Sequence, residues 1–281
     1  MINNSMYPCF ILKGKAEEAA DFYISTFGHA AVAQRMPFVV QITVHGQKMM
    51  LLNDGPDTQP TPAISFMVLS DTAEETEKYY QALAEGGKVM MELGTYPWSD
   101  KYGWVADKYG ISWQLYTGTK TEQEQRISPT LMFTGDNAGK ASEAIHYYTT
   151  VFPHSSIQGI LKYAEGEGDS TDNVKHAQFS LNGYWVMAMD SSYNHGFGFT
   201  DAVSLVVECA TQEEIDQYWN TLTADGGKEV ACGWLVDKYG LRWQIIPDNI
   251  GKLFNDPEKG PRAVEKMLKM KKLIKAELEN A

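Results

Sequence analysis

The sequence predicts an α+β fold of two tandem domains, each assembled from two strand–helix–strand halves and followed by a C-terminal helix. Three observations lead there. A fourteen-residue stretch, Gly103-Trp-Val-Ala-Asp-Lys-Tyr-Gly-Ile-Ser-Trp-Gln-Leu-Tyr116, returns as Gly233-Trp-Leu-Val-Asp-Lys-Tyr-Gly-Leu-Arg-Trp-Gln-Ile-Ile246, with eight of fourteen positions identical. Ala16–Phe27 returns as Ala141–Phe152, and the strand Tyr7–Leu12 returns as Ser128–Phe133 with Pro129 on Pro8. Within each copy the apolar spacing alternates between helical and strand-like periods. A period of about 130 residues is too long for a solenoid repeat, so it marks a duplicated domain.

Taken in order, Tyr7–Lys13 forms a first strand, and Lys15–Phe27 a helix with Ala19, Phe22, Tyr23 and Phe27 on one face. Gly28 stops that helix. Phe38–Val44 and Lys48–Leu52 make a hairpin about His45-Gly46, and the Pro/Gly-rich stretch through Pro62 is a loop. A strand at Ala63–Leu69 leads to a helix capped by Asp71, with Glu74 three positions on, ending at Gly86-Gly87. A short strand near Val89–Glu92 and a loop bearing Pro97 and Trp98 precede the Gly103–Tyr116 hairpin. In its turn, Asp107 can bond its own backbone and Gly110 can take positive φ. The first copy thus reads β-α-β-β, then β-α-β-β-β. Thr117–Gln125 is a polar connection, which sets domains at 1–120 and 126–250 with 251–281 as a helical extension. Fourteen residues separate Gly-Gly-Lys from Gly-Trp in the first copy and only four, Glu229–Cys232, in the second. A loop that covers the first domain is therefore missing from the second. Pro261–Leu278 is expected as one helix, docked on the second domain or on a partner subunit, which leaves a homodimer open.

Composition excludes several functions. A net charge of −12 and no basic stripe argue against nucleic acid. No run approaches the length of a membrane span, and no signal peptide is expected, since no basic segment followed by an apolar run stands at the start of the sequence. Cys9, Cys209 and Cys232 lack a metal-site spacing and read as reduced thiols of a cytoplasmic protein. There is no GxSxG, HExxH or P-loop. Glu165-Gly-Glu-Gly168-Asp is the one string comparable to a nucleotide-binding turn, and its acidic residues would repel an anionic or electron-rich group.

On the repeated halves, the Gly-Gly-Lys segments, Cys232–Pro247 and the Met267–Lys272 tail, the chain resembles the vicinal oxygen chelate superfamily of glyoxalase I, extradiol dioxygenases and bleomycin resistance proteins. It is most similar to the PhnB-like branch often named 3-demethylubiquinone 3-methyltransferase. The resemblance implies curled eight-stranded sheets with outer helices, each made of two paired βαβββ modules about a U-shaped cleft. In metal-using relatives the cleft holds a divalent ion through His, Gln or Glu. Here Gln114 and Gln244 stand where a Glu ligand is expected, Pro8 and Pro129 near the expected His, and Ser65 and Ser204 in the second-half strands. That set implies no metal and no cofactor. The residues expected to line the clefts are Gln41, Met50, Trp98, Trp104 and Gln114 in the first copy, and Gln178, Met187, Trp234 and Gln244 in the second. His176 is the candidate general base, His195 a candidate for the rim, and His29, His45, His146 and His154 are read as solvated. The resulting expectation is a binder of a small organic ligand without metal. The alternatives are a metal-dependent lyase, isomerase or dioxygenase, and a protein in which one domain has become an interaction surface. No methyl-donor motif supports the methyltransferase name.

Overall fold

A computed structural model describes residues 4–36, 38–118 and 125–281; most of the connection expected over Thr117–Gln125 lies outside them. The first half runs β1 (Met6–Ile11), α1 (Ala16–Phe27), β2 (Ala30–Met36), β3 (Val39–Val44) and β4 (Gln47–Leu52). His45 and Gly46 both take positive φ, 48° and 79°, as a two-residue hairpin turn requires. The sequence reading lacks β2. No residue of β2 is buried, so its alternation carries no apolar signal. The second half runs β5 (Ile64–Ser70), α2 (Ala73–Ala84), β6 (Lys88–Tyr96), β7 (Ser99–Ala106) and β8 (Ser112–Thr117). Thr72, not Asp71, caps α2, its hydroxyl accepting from Glu75 N while the Glu75 carboxylate accepts from Asp71 N. The cap therefore lies one residue further on than expected, and the Glu75 carboxylate reaches past the N-cap residue to Asp71 N.

The second copy repeats this plan with β9 (Ile127–Phe133), α3 (Ala141–Val151), β10 (Ser156–Lys162), β11 (Val174–Leu181) and β12 (Tyr184–Asp190). Its second half has β13 (Val203–Cys209), α4 (Gln212–Leu222), β14 (Lys228–Glu229), β15 (Trp234–Val236) and β16 (Arg242–Pro247). The Glu165–Asp169 string is a loop, with Glu167 accepting from Ala164 N, and a strand rather than a helix follows it. The C-terminal extension is helical but not one helix over Pro261–Leu278. It comprises α5 (Ile250–Phe254), α6 (Gly260–Met267) and α7 (Lys275–Glu279). The break between α6 and α7 has a cause: the Met270 and Lys271 carbonyls accept from Cys232 N and Gly233 N, and Gln212 bonds the Leu273 carbonyl and Lys275 N. Those carbonyls cannot also serve a continuous helix.

Two eight-stranded mixed sheets result. By their contacts the described residues separate into one unit spanning Phe10–Ala202 and another made of Asn4–Cys9 with Val203–Ala281. The first unit contains a complete sheet in the order β10-β11-β12-β9-β5-β8-β7-β6. The two halves that share it come from different repeats: β5 pairs antiparallel with β9, from Ile64–Leu131 to Val68–Ile127. The sequence reading paired the halves within each copy. The strands decide otherwise, because β5 is buried along both edges, by β8 on one side and β9 on the other. The same unit carries the β2–β3–β4 ribbon. Helix α2 packs on β7 and β8, and α3 on β11. Within the second unit, β14-β15-β16-β13 are neighbours, and Glu208 N on β13 donates to the Ser5 carbonyl at 2.7 Å.

The core beneath the first sheet is aromatic. The Trp113 ring lies 5.4–5.5 Å from Phe27, Tyr23 and Phe66, and all four side chains are buried. The duplicated hairpin explains itself here. One oxygen of Asp107 accepts from Tyr109 N (2.8 Å) and Ile111 N (3.0 Å), closing the turn. The other accepts from Tyr23 OH and Trp113 Nε1, both at 2.8 Å. Asp237 repeats the arrangement with Tyr239 N, Leu241 N and Trp243 Nε1. The Asp and Trp of the repeated motif are thus an anchored turn.

Candidate functional site

Because Trp113 and Leu115 of β8 face the helices, Ser112, Gln114 and Tyr116 face the other way. Gln114 lies at the floor of that opposite face. Its Nε2 donates to Ser65 Oγ and its Oε1 accepts from Tyr102 OH, each at 2.7 Å. Register then carries the floor across the sheet. Gln114 stands opposite Trp104 on β7 and Met67 on β5. Ser65 stands opposite Thr130 on β9, Thr130 opposite Met187 on β12, and Met187 opposite Gln178 on β11. His176 shares that face two positions before Gln178. A single sheet therefore gathers Trp104, Gln114, Gln178, Met187 and His176, which the sequence reading divided between two domains.

Three features define the chemistry. First, the floor is buried and neutral: Ser65, Thr130 and Gln114 are all nearly inaccessible, and Trp104 Nε1 donates to Ser112 Oγ at 2.7 Å. Second, the Thr130 hydroxyl is buried and has no hydrogen-bond partner among the described residues. An unpaired buried hydroxyl costs about 1–3 kcal/mol, so its presence calls for an explanation. Third, the face carries an imidazole, that of the half-buried His176, and burial holds it below its ordinary value and therefore neutral near pH 7. A neutral imidazole can accept a proton. At the strand end of the same face Arg126 is engaged by Asp71 and, at 3.5 Å, by Glu75.

The expected covering loop is the extended β6–β7 hairpin. Its register slips three times, and these bulges, with Gly94, hid its length from the sequence pattern. Trp98 sits at its tip, 62% exposed, stacked on Tyr96 (5.2 Å) and edge-on to Tyr102 (5.6 Å). Gly103 is required below it, because a Cβ there would meet the Tyr80 ring at 2.6 Å. An aromatic column thus runs from Trp98 through Tyr102 to Gln114. Tyr102 escaped the sequence reading, although it precedes Trp104 by two residues and so shares its face. Thr130 escaped as well, its strand having been read only for the absence of a histidine at Pro129.

The remaining expected residues lie elsewhere. Gln41 and Met50 face each other across the β3–β4 hairpin. In the second unit Trp234 stands opposite Gln244, whose Nε2 donates to Ser204 Oγ at 2.9 Å. The Cys9 thiol occupies the place Thr130 has in the other floor. It lies within hydrogen-bond reach of Gln244 and Ser204, and burial pushes it up to about 12. His195 bonds Ser191 Oγ (2.8 Å) and stacks on Phe197, within its own loop. His45 is half-buried, not solvated: burial and then Arg126 push it down to about 4. The three cysteines are free thiols.

A divalent ion of the kind the fold family implies needs three or four converging imidazole, thiolate or carboxylate groups. Among the described residues no such group of three converges, and the floor offers an amide and hydroxyls. The residues do not fit such an ion.

Comparison with known proteins agrees with this architecture. The family model described as 3-demethylubiquinone-9 3-methyltransferase matches residues 4–116 and again 125–246. A Bacillus cereus structure described as a putative 3-demethylubiquinone-9 3-methyltransferase, PhnB protein, is 35% identical over 39% of this chain and 96% of its own, with a TM-score of 0.37. Zea mays glyoxalase I is 14% identical over 86% of this chain and 92% of its own, with a TM-score of 0.56. A putative dioxygenase from Bacillus subtilis is 10% identical over 86% and 84%, with a TM-score of 0.53. The last two share the fold. No curated protein matches the sequence.

Proposed function

The chain belongs to the 3-demethylubiquinone-9 3-methyltransferase family, in its PhnB-like branch, and from that premise we propose that it binds a small organic ligand on the β5–β12 sheet without a resident metal ion. One observation carries the reading: a buried, neutral floor, Gln114–Ser65–Thr130, with an unsatisfied hydroxyl under walls of Trp, Tyr and Met. A mostly apolar cleft with a few placed polar groups is the usual form of a small-molecule site. In this reading 1–120 and 126–250 are the duplicated units and 251–281 an extension, while the binding unit joins half of each repeat. Gln114 positions the ligand, Trp104, Met187 and Gln178 flank it, Trp98 lies at the rim, and His176 is the group able to take a proton from it. Methyl transfer gains no support, since the Gly166–Gly168 turn is followed by the strand β11 and opens no helix.

Titration of neutral aromatic fragments followed by tryptophan fluorescence, in buffer containing EDTA, tests the proposal. Saturable quenching that Trp104→Phe removes is the expected result. Binding that EDTA abolishes and Mn, Ni or Zn restores would instead favour the metal-dependent lyase, isomerase or dioxygenase reading.

A further inference from the structure

The chemistry of this floor also names the class of its ligand, an inference that rests on the binding reading above. Around Gln114 and Thr130 two adjacent rows cross the sheet. One is Trp104–Gln114–Met67–Ser128, the other Ser112–Ser65–Thr130–Met187–Gln178. Neither row contains a lysine, an arginine or a carboxylate. Arg126, at the strand end, already has two carboxylates against it. A charged ligand group brought to this depth would lose its hydration with no counter-ion to replace it, which is strongly unfavourable.

The hydrogen-bonding valences left open are also defined. Gln114 spends one N–H on Ser65 and one lone pair on Tyr102, which leaves one N–H and one lone pair. Thr130 has its full hydroxyl, both donor and acceptor, with no partner among the described residues. Across Ser65 from Gln114, that hydroxyl is the one buried side-chain polar atom of these two rows without a hydrogen bond among the described residues; Arg126 Nη1, at the strand end, also lacks a hydrogen bond but has the Glu75 carboxylate 3.5 Å away. In the second unit the equivalent trio Gln244–Ser204–Cys9 has a thiol at this place, and that thiol is already within reach of both partners. The demand for an outside partner is therefore particular to Thr130.

We infer that the ligand of the β5–β12 floor is an uncharged aromatic molecule whose polar head both donates and accepts a hydrogen bond, the head meeting Thr130 and Gln114 and the ring lying against Trp104. Phenols and primary aromatic amides belong to this class; aromatic carboxylates and ammonium ions do not.

Three probes of equal ring size test it on the full chain by isothermal titration calorimetry: 1-naphthol, 1-naphthoate and 1-naphthylmethylammonium. Saturable binding of 1-naphthol with both charged probes at least about tenfold weaker is expected. Thr130→Val should weaken 1-naphthol about tenfold, and Thr130→Ser, which keeps the hydroxyl, should restore it. A charged probe that binds as tightly as 1-naphthol, or Thr130→Val binding unchanged, overturns the inference. If a charged probe binds and Trp104→Ala abolishes its binding, the cleft remains a ligand site and only its charge class is wrong. If no probe gives Trp104-dependent heat, both readings fall.

Discussion

Asp107 and Thr130 are opposite cases of buried polarity. Asp107 accepts four hydrogen bonds, two from the backbone turn and two from Tyr23 and Trp113. Burial, the larger influence, still holds its carboxyl above the ordinary range. Asp107→Ala would strand four buried donors at once, and we expect a loss of about 3 kcal/mol or more in urea unfolding. Thr130 accepts none. Thr130→Val replaces an unpaired hydroxyl with a methyl of nearly the same shape, so ligand-free protein should become more stable, by about 1 kcal/mol. A variant that gains stability while losing affinity is the signature of a group kept for binding. If Thr130→Val instead destabilises the protein by a similar amount, the hydroxyl has a structural partner and the functional argument loses its basis. Both residues sit on plain strand or turn sequence; what separates them is the number of donors and acceptors that reach them.

At the level of elements, the two copies differ most between their second helix and the repeated hairpin. The first has β6 and β7 extended to a tip at Trp98; the second has the two-residue β14 and three-residue β15. In the second, Cys232 and Gly233 bond the C-terminal backbone, and Leu273 lies fully buried where it would meet a Cβ on Gly233 at 3.1 Å. The short hairpin is thus compensated by the extension. Trp98 stabilises little because it is largely exposed, and Trp98→Ala should change unfolding free energy by no more than about 0.5 kcal/mol while lowering affinity for aromatic probes by calorimetry. Caps make a complementary test of local stability. Thr72→Ala removes the hydroxyl that accepts from Glu75 N and should cost about 1 kcal/mol in chemical unfolding.

For the molecule as a whole, folding and pH are coupled through His45. Its ordinary value is 6.5, and the folded protein pushes it down to about 4. The unfolded chain therefore binds a proton that the native state refuses in this window. The stability His45 contributes is fully present above about pH 6.5 and is lost as pH falls from there towards about 4. Unfolding midpoints measured from pH 7 to pH 4.5 should decline, and His45→Asn, which tolerates the positive φ of 48°, should flatten part of that decline. Connectivity is the second property at this scale. A fragment of residues 1–120 would lack β9 and leave the buried edge of β5 unpaired. Such an edge seeks another strand. We expect the fragment to self-associate or aggregate in size-exclusion chromatography, where a monomeric, cooperatively unfolding fragment would show that β5 does not require its partner from the second repeat.

The amino-acid sequence determined by itself the duplication, most of the order of strands and helices, and the turn at Asp107 and Asp237. These follow from local rules: apolar periodicity, side-chain caps and the φ demands of turns such as His45-Gly46. It also placed Gln114 opposite to Trp113, because alternation along a strand needs no knowledge of the partner strand. It did not disclose β2, whose side chains are too exposed to leave an apolar pattern, or the true length of β6 and β7, whose bulges break the two-residue period. Nor could it join Gln114 to Thr130, Met187 and Gln178. That union depends on β5, paired on one edge with β8 of its own repeat, taking β9 on the other edge rather than a strand from the first half of its own repeat, and strand choice rests on long-range edge pairing that leaves no mark in either strand's own sequence. Burial decided the rest: only the packed sheet buries the Thr130 hydroxyl with no hydrogen-bond partner among the described residues, and that is a property of its neighbours, not of threonine.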